Sequence, residues 1–185
     1  MKRRSRASET AAAKTWAHHL TQRDDWLVID VETTGLGLEA EVVEAAIIGS
    51  RGNILLDTMV RPHIPPEPQA SRIHGLDVKA LHDQPRFGQI YGKLVELLTR
   101  RTVVAYNAEF DRHVLAHTCR AAGLPQIECT WACAMLRYEQ WRGFRASLAT
   151  VCEVESIVAT GPRHQALPDA RLVWNLIRRM AGEPA

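Results

Sequence analysis

Four carboxylates and one histidine carry the chemistry that this sequence offers. Asp30 and Glu32 stand two apart at the end of Trp26-Leu-Val-Ile-Asp-Val31, a strongly apolar run. If that run is a strand, its period-2 pleat points both side chains to one face, roughly 7 Å apart along the strand. Two carboxylates so placed repel each other, so the chain must protonate one, solvate both, or bind a cation between them. An isolated Asp-x-Glu pair is more often a hydrated strand end, and a metal reading needs further acids to converge on it.

Two more segments supply them. Asp111 closes Tyr106-Asn107-Ala108-Glu109-Phe110-Asp111 and opens a helical pattern. Taken alone, it is an acid favoured by the dipole at a helix start. Phe110 and Val114 are expected to face the core, leaving Asp111 near its edge. The other segment is His164-Gln-Ala-Leu-Pro168-Asp169. Positions five apart on one helix differ by about 140° in direction, so the two ends meet only if they are not both helical. Proline is tolerated in a first turn and not in a helix interior. Asp169 therefore belongs just inside a helix, with His164 on the loop before it, where a histidine reaches over a fixed carboxylate.

The elements that must position these groups follow from pattern. Apolar runs predict strands at 26–31, 42–48 and 54–60, the last two separated by the Arg51-Gly52-Asn53 turn signal, and the three together suggest a meander. Residues 61–76 hold Pro62, Pro65, Pro66 and Pro68 and read as a loop. Helical patterns follow near 77–82 and 86–99. A short strand at 103–106, a helix at 108–122 stopped by Gly123 and Pro125, and a fifth strand at 127–130 come next. A helix within 132–142 and a last one from Pro168, with the stripe Ala170, Val173, Ile177 and Met180, complete the chain.

With 185 residues, 46% of them hydrophobic, one buried core is expected. No apolar run is long enough for a membrane span and no leader-like stretch follows the first residues, so the chain reads as cytoplasmic. Cys119, Cys129, Cys133 and Cys152 lack CxxC spacing and histidines at zinc-finger distance, so neither a disulfide nor zinc is expected. A net charge of +2 says little about nucleic acid. Lys2, Arg3, Arg4 and Arg6 make residues 1–20 a basic, partly disordered extension, leaving 21–185 as one domain.

Asp30-Val-Glu32-Thr-Thr-Gly35, Asn107-Ala-Glu-Phe-Asp111 and His164-Gln-Ala-Leu-Pro-Asp169 resemble, in order, the three motifs of the DnaQ-like DEDDh 3′–5′ exonucleases, the family of the proofreading epsilon subunit of bacterial DNA polymerase III. Ile73-His74-Gly75-Leu76 and Ser147-Leu148-Ala149 resemble accessory segments, and the likeness spans residues 26 to 181. One Asp-x-Glu is weak; three ordered motifs are specific. The resemblance implies a ribonuclease H-like α/β fold, a five-stranded mixed sheet with helices on both faces.

It also implies that Asp30, Glu32 and Asp169 hold one divalent metal, that Asp30 shares a second, and that Asp111 acts on the second largely through water. Two hard cations about 3.5 to 4 Å apart serve in-line attack of water on a phosphodiester, and oxygen ligands select Mg²⁺ or Mn²⁺. His164 takes the place of the general base, a role suited to a pKa near ~6.5. Thr33, Thr34 and Leu36 are implied to hold the terminal nucleotide, with Leu36 wedged against bases and Gln69, His74 and Asn107 approaching it. Arg72 and Arg163 are candidates for phosphate contact, with surface solvation an equal alternative.

Three positions depart from the pattern: Gln69 where glutamate is frequent, Tyr106 where histidine is common, and Cys129 where aspartate is usual. They bear on substrate preference. The expected activity is release of nucleoside monophosphates from single-stranded DNA 3′ ends. RNA as substrate, a silent module that holds nucleic-acid ends, and a polymerase accessory subunit are the alternatives. Asp169 lies close to the end of the sequence, which favours a stand-alone nuclease. The basic N-terminal segment is the candidate attachment to a polymerase.

Overall fold

The computed structural model describes residues 5–162 and 164–183. Its centre is β1 (Trp26–Thr33), and the sheet runs in the order β3-β2-β1-β4-β5. β2 (Val42–Gly49) is antiparallel to β1, and β3 (Ile54–Met59) is antiparallel to β2. β4 (Thr102–Ala105) and β5 (Thr130–Cys133) continue the other side in parallel. The expected meander is β1-β2-β3. Its tight turn works because Gly52 takes φ 81°, a conformation that costs glycine little.

Alternation along β1 separates two apolar layers. Leu27, Ile29 and Val31 pack with Phe87, Leu94 and Leu97 of α4 (Phe87–Leu98) and with Val114 and Leu115 of α5 (Ala108–Ala121). Trp26 and Val28 face the other way, onto Ala170, Val173 and Ile177 of α8 (Ala166–Ala181). Each fully buried aliphatic side chain contributes about 1.5–3 kcal/mol. The sheet is thus held rigidly from both faces, as a ribonuclease H-like sheet requires.

Several boundaries differ from the sequence pattern. The fifth strand lies at Thr130–Cys133, not 127–130, because pairing begins at Thr102↔Thr130. Ile127 and Cys129 only lean on the core. The proline-rich stretch 61–76 contains α2 (Pro68–His74), with Pro68 in its first turn, where a missing N–H is harmless. After α3 (Val78–Leu81) and α6 (Ala134–Arg142), the pattern missed α7 (Leu148–Glu155), which Ser147 caps by accepting from the Thr150 amide at 3.2 Å.

The largest difference is at the N-terminus. Residues 6–20 are not a disordered extension but part of α1 (Arg6–Thr21), which buries Ala13, Ala17 and Leu20. Ala13 and Ala17 pack with Tyr138 and Trp141 of α6 and Leu176 of α8. Alanines let the helices approach closely, which is why no large apolar stripe announces the contact. The Arg6 guanidinium donates to the carbonyls of Glu139, Gln140 and Trp141 at 3.2, 3.0 and 3.1 Å. The Gln140 and Trp141 carbonyls are ones that the end of α6 leaves without helical partners, while that of Glu139 also accepts from the Gly143 amide at 2.7 Å. Lys2, Arg3 and Arg4 lie outside the described residues. Ala17→Glu, a charge placed in this contact, is expected to lower stability by about 3 kcal/mol or more, read by urea unfolding. A mobile segment would show no change.

Candidate active site

β1 carries Asp30 and Glu32 on the face that α8 covers, and both side chains are half-buried. α8 begins at Ala166 and places Asp169 in its first turn, with Pro168 tolerated there. One carboxylate oxygen from each of Asp30, Glu32 and Asp169 falls within 4.8 Å of the others. His164 sits on the preceding loop, exposed, and its backbone amide donates to Asp169 Oδ2 at 3.3 Å. Its φ is 58°, a left-handed conformation that costs a non-glycine residue on the order of 1 kcal/mol. Asp169 inside the helix and His164 on the loop before it match the placement inferred from Pro168.

Asp111 arrives from the opposite layer. Asn107 starts α5 and Asp111 lies in its first turn, only 6% exposed. The expected position at the edge of the core is corrected: this turn abuts the end of β1, and the Val31 amide helps hold the carboxylate in its ionised form. Asp111 does not join the tight three-residue cluster. It is nevertheless the charge that acts most strongly on Asp30.

Such crowding shifts Asp30, Glu32 and Asp111 upward. Burial, then the charges of Asp111, Glu32 and Asp169, push the Asp30 carboxyl well above the carboxylate range. Burial, then Asp169 and Glu44, raise Glu32 to about 8. Burial raises Asp111 to about 7 against the pull of its own amide and that of Val31. Oxygen donors that repel one another at this spacing fit a hard divalent cation, Mg²⁺ or Mn²⁺. Asp30, Glu32 and Asp169 would hold it, with Asp111 beside Asp30.

The expected nucleotide contacts divide. Leu36 is 82% exposed on the loop after β1, and Leu38 is similarly free at 78%. Leu36, Gln69 and His74 line one cavity of about 130 Å³ together with Glu32 and Ile73. Asn107 is exposed at the mouth of α5. Thr33 lines the same cavity while its hydroxyl donates to the Gly35 carbonyl at 2.7 Å, and the Thr34 hydroxyl accepts from the Glu41 amide at 3.0 Å. They shape the loop. The buried His74 accepts from the Leu76 amide through Nδ1 at 3.0 Å, which leaves Nε2–H to donate to the Thr33 carbonyl at 3.2 Å. Burial, then nearby His164, lowers its pKa. Both ring nitrogens are engaged, Nε2 at the end of β1 and Nδ1 in the turn after α2. Arg72 is exposed on α2, and Arg163 lies outside the described residues.

Two acids escaped the sequence reading. Glu67, the N-cap of α2, lines the cavity beside Gln69, with its carboxylate against Gly35. Glu44 lies in the middle of β2, opposite Glu32. Its signal was a lone acid inside Val-Val-Glu-Ala-Ala-Ile-Ile.

The fold and this site define a nuclease with a carboxylate centre, and the comparisons agree. The model of the exonuclease family RNase_T matches residues 27–177, and the chain belongs to that family. It is similar to an uncharacterised exonuclease of Escherichia phage 186, 32% identical over 189 residues that cover 95% of each chain. Among solved structures it is similar to exonuclease X in complex with 5′ overhanging duplex DNA, at TM-score 0.67 and 28% identity over 86% of this chain and 95% of that one. The nuclease domain of 3′hExo, a DEDDh family member bound to rAMP, shares the fold at TM-score 0.73 and 18% identity, over 86% and 92% of the two chains. The chain is an exonuclease of the DEDDh type.

Groups whose pKa is raised on folding favour the folded state below their unfolded values, and that advantage is lost as pH climbs through the folded ones. Without divalent ions, stability should fall from about pH 4 towards pH 8. Asp111→Asn should raise Tm at the alkaline end and much less near pH 5. Mg²⁺ should raise the wild-type Tm at alkaline pH. Scanning calorimetry checks all three, and a Tm independent of pH and of Mg²⁺ would contradict the crowding.

Proposed function

We propose that this exonuclease removes nucleotides one at a time from the 3′ end of single-stranded DNA by metal-dependent hydrolysis. The convergence of Asp30, Glu32 and Asp169 within 4.8 Å, with His164 tied to Asp169, carries the reading. Water attacks the terminal phosphorus, the bond to the 3′ oxygen breaks, and the products are a nucleoside 5′-monophosphate and a strand with a new 3′ hydroxyl. His164, exposed beside the carboxylates, accepts the proton of the attacking water. Divalent cations, two in this reading, would make that water acidic and stabilise charge on the leaving oxygen. The exposed Leu36 separates the last base from its neighbour, and the cavity lined by Glu67, Gln69 and Ile73 takes the terminal residue.

DNA is preferred over RNA because the structure similar at 28% identity is that of an enzyme bound to DNA. Because Arg6–Thr21 is folded onto α6 and α8, attachment to a polymerase would use the outer face of α1 and not a free segment. A cytoplasmic location belongs to the same proposal.

The test is a 5′-labelled single-stranded DNA and its RNA counterpart, each with Mg²⁺, Mn²⁺ or EDTA. A ladder shortening from the 3′ end, absent with EDTA and in Asp30→Ala/Glu32→Ala, is expected. His164→Ala should lose about 10²- to 10⁴-fold in kcat. Faster loss of RNA would overturn the DNA preference. No metal-dependent shortening of either would overturn the activity.

A further inference from the structure

Glu44 is a carboxylate in a place that disfavours one. All eight residues of β2 are buried, and Glu44 is 9% exposed. Directly opposite Glu32 in the antiparallel ladder, it projects from the same face as Glu32, and hence as Asp30. Burial, together with the charges of Asp57 and Asp169, raises its pKa. A buried acid beside other acids costs stability unless it is hydrogen-bonded, and an apolar residue would continue the strand without that cost.

What it gains is the start of α8. Gln165, the N-cap, makes no side-chain capping bond, so the first amides of α8 lack a local partner. The amide of Ala166, the first residue of the helix, donates to Glu44 Oε2 at 3.0 Å across the sheet, and Ala166 is fully buried. A negative group there also suits the helix dipole. The loop before α8 is therefore pinned twice: the His164 amide on Asp169 and the Ala166 amide on Glu44. Between them the backbone holds His164 at φ 58°.

We propose that Glu44 is a positioning residue of the nuclease: it caps α8 from the neighbouring strand and thereby fixes His164 and Asp169 over Asp30 and Glu32. The catalytic half of this inference rests on the exonuclease reading above, while the cap does not. A carboxylate on β2 ties the third motif to the first through an oxygen that accepts, and its charge is incidental to that bond. Glutamine retains an acceptor oxygen at the same reach; alanine does not.

Glu44→Ala and Glu44→Gln should be compared by amide hydrogen exchange at Ala166 and by steady-state exonuclease kinetics. The Ala166 amide should be protected in the wild type and in Glu44→Gln and exchange faster in Glu44→Ala. In the kinetics, Glu44→Ala should lose about 10- to 100-fold in kcat with KM nearly unchanged, and Glu44→Gln should recover most of it. Unchanged Ala166 exchange in Glu44→Ala would overturn the cap. Full kcat in Glu44→Ala, or a Glu44→Gln as slow as Glu44→Ala, would overturn the positioning role. A wild type that protects Ala166 yet degrades no nucleic acid would retain the cap and sink the exonuclease reading instead.

Discussion

Carboxylates crowded around the end of one buried strand are the constraint to which the rest of this structure answers. Asp30 and Glu32 cannot move apart, since the pleat of β1 fixes them on one face. Asp169 and Asp111 are brought against them by helices on opposite sides of the sheet. The result is a cluster in which burial and mutual repulsion raise every acid whose shift is resolved. An isolated chain has no reason to build this. A chain that binds hard cations has, because carboxylates that repel one another together attract an ion.

The apolar layers supply the force that holds the cluster together. Leu27, Ile29 and Val31 lock β1 to α4 and α5, and Trp26 and Val28 lock it to α8. α1, α6 and α7 then buttress α8 from outside through Leu172, Leu176 and Met180. The acids thus come from elements that cannot shift independently of one another. Around them the small polar groups work on the backbone: Thr33, Thr34 and His74 all bond to main-chain atoms at the end of β1 or in the loop after it. Leu36 is left exposed on a loop shaped by these bonds.

The placement of Asp30, Glu32, His164 and Asp169 was legible in the sequence because their spacing carries geometry. Two residues apart on a strand means one face, and a proline before Asp169 means a helix start with His164 outside it. Their assignment to one site drew on family resemblance, since no periodicity tells that α5 and α8 reach the same strand end. Elements that pack through small residues were illegible. α1 meets α6 and α8 through Ala13 and Ala17, and an alanine-rich sequence reads equally as a solvated tail. β5 was misplaced by three residues because Ile127 and Cys129 are apolar without pairing to β4. Glu44 went unnoticed because its partner is a backbone amide 122 residues away, and no sequence pattern records such a bond.

The central claim is that the acids form a site for divalent cations, and diffraction from crystals grown with Mn²⁺ and a nucleoside 5′-monophosphate tests it most directly. The account predicts an anomalous peak coordinated by oxygens of Asp30, Glu32 and Asp169, at about 2.0–2.2 Å. A second peak should lie about 3.5–4 Å away, on the Asp111 side of Asp30. Crystals that carry Mn²⁺ elsewhere, with these carboxylates still unliganded, would contradict it.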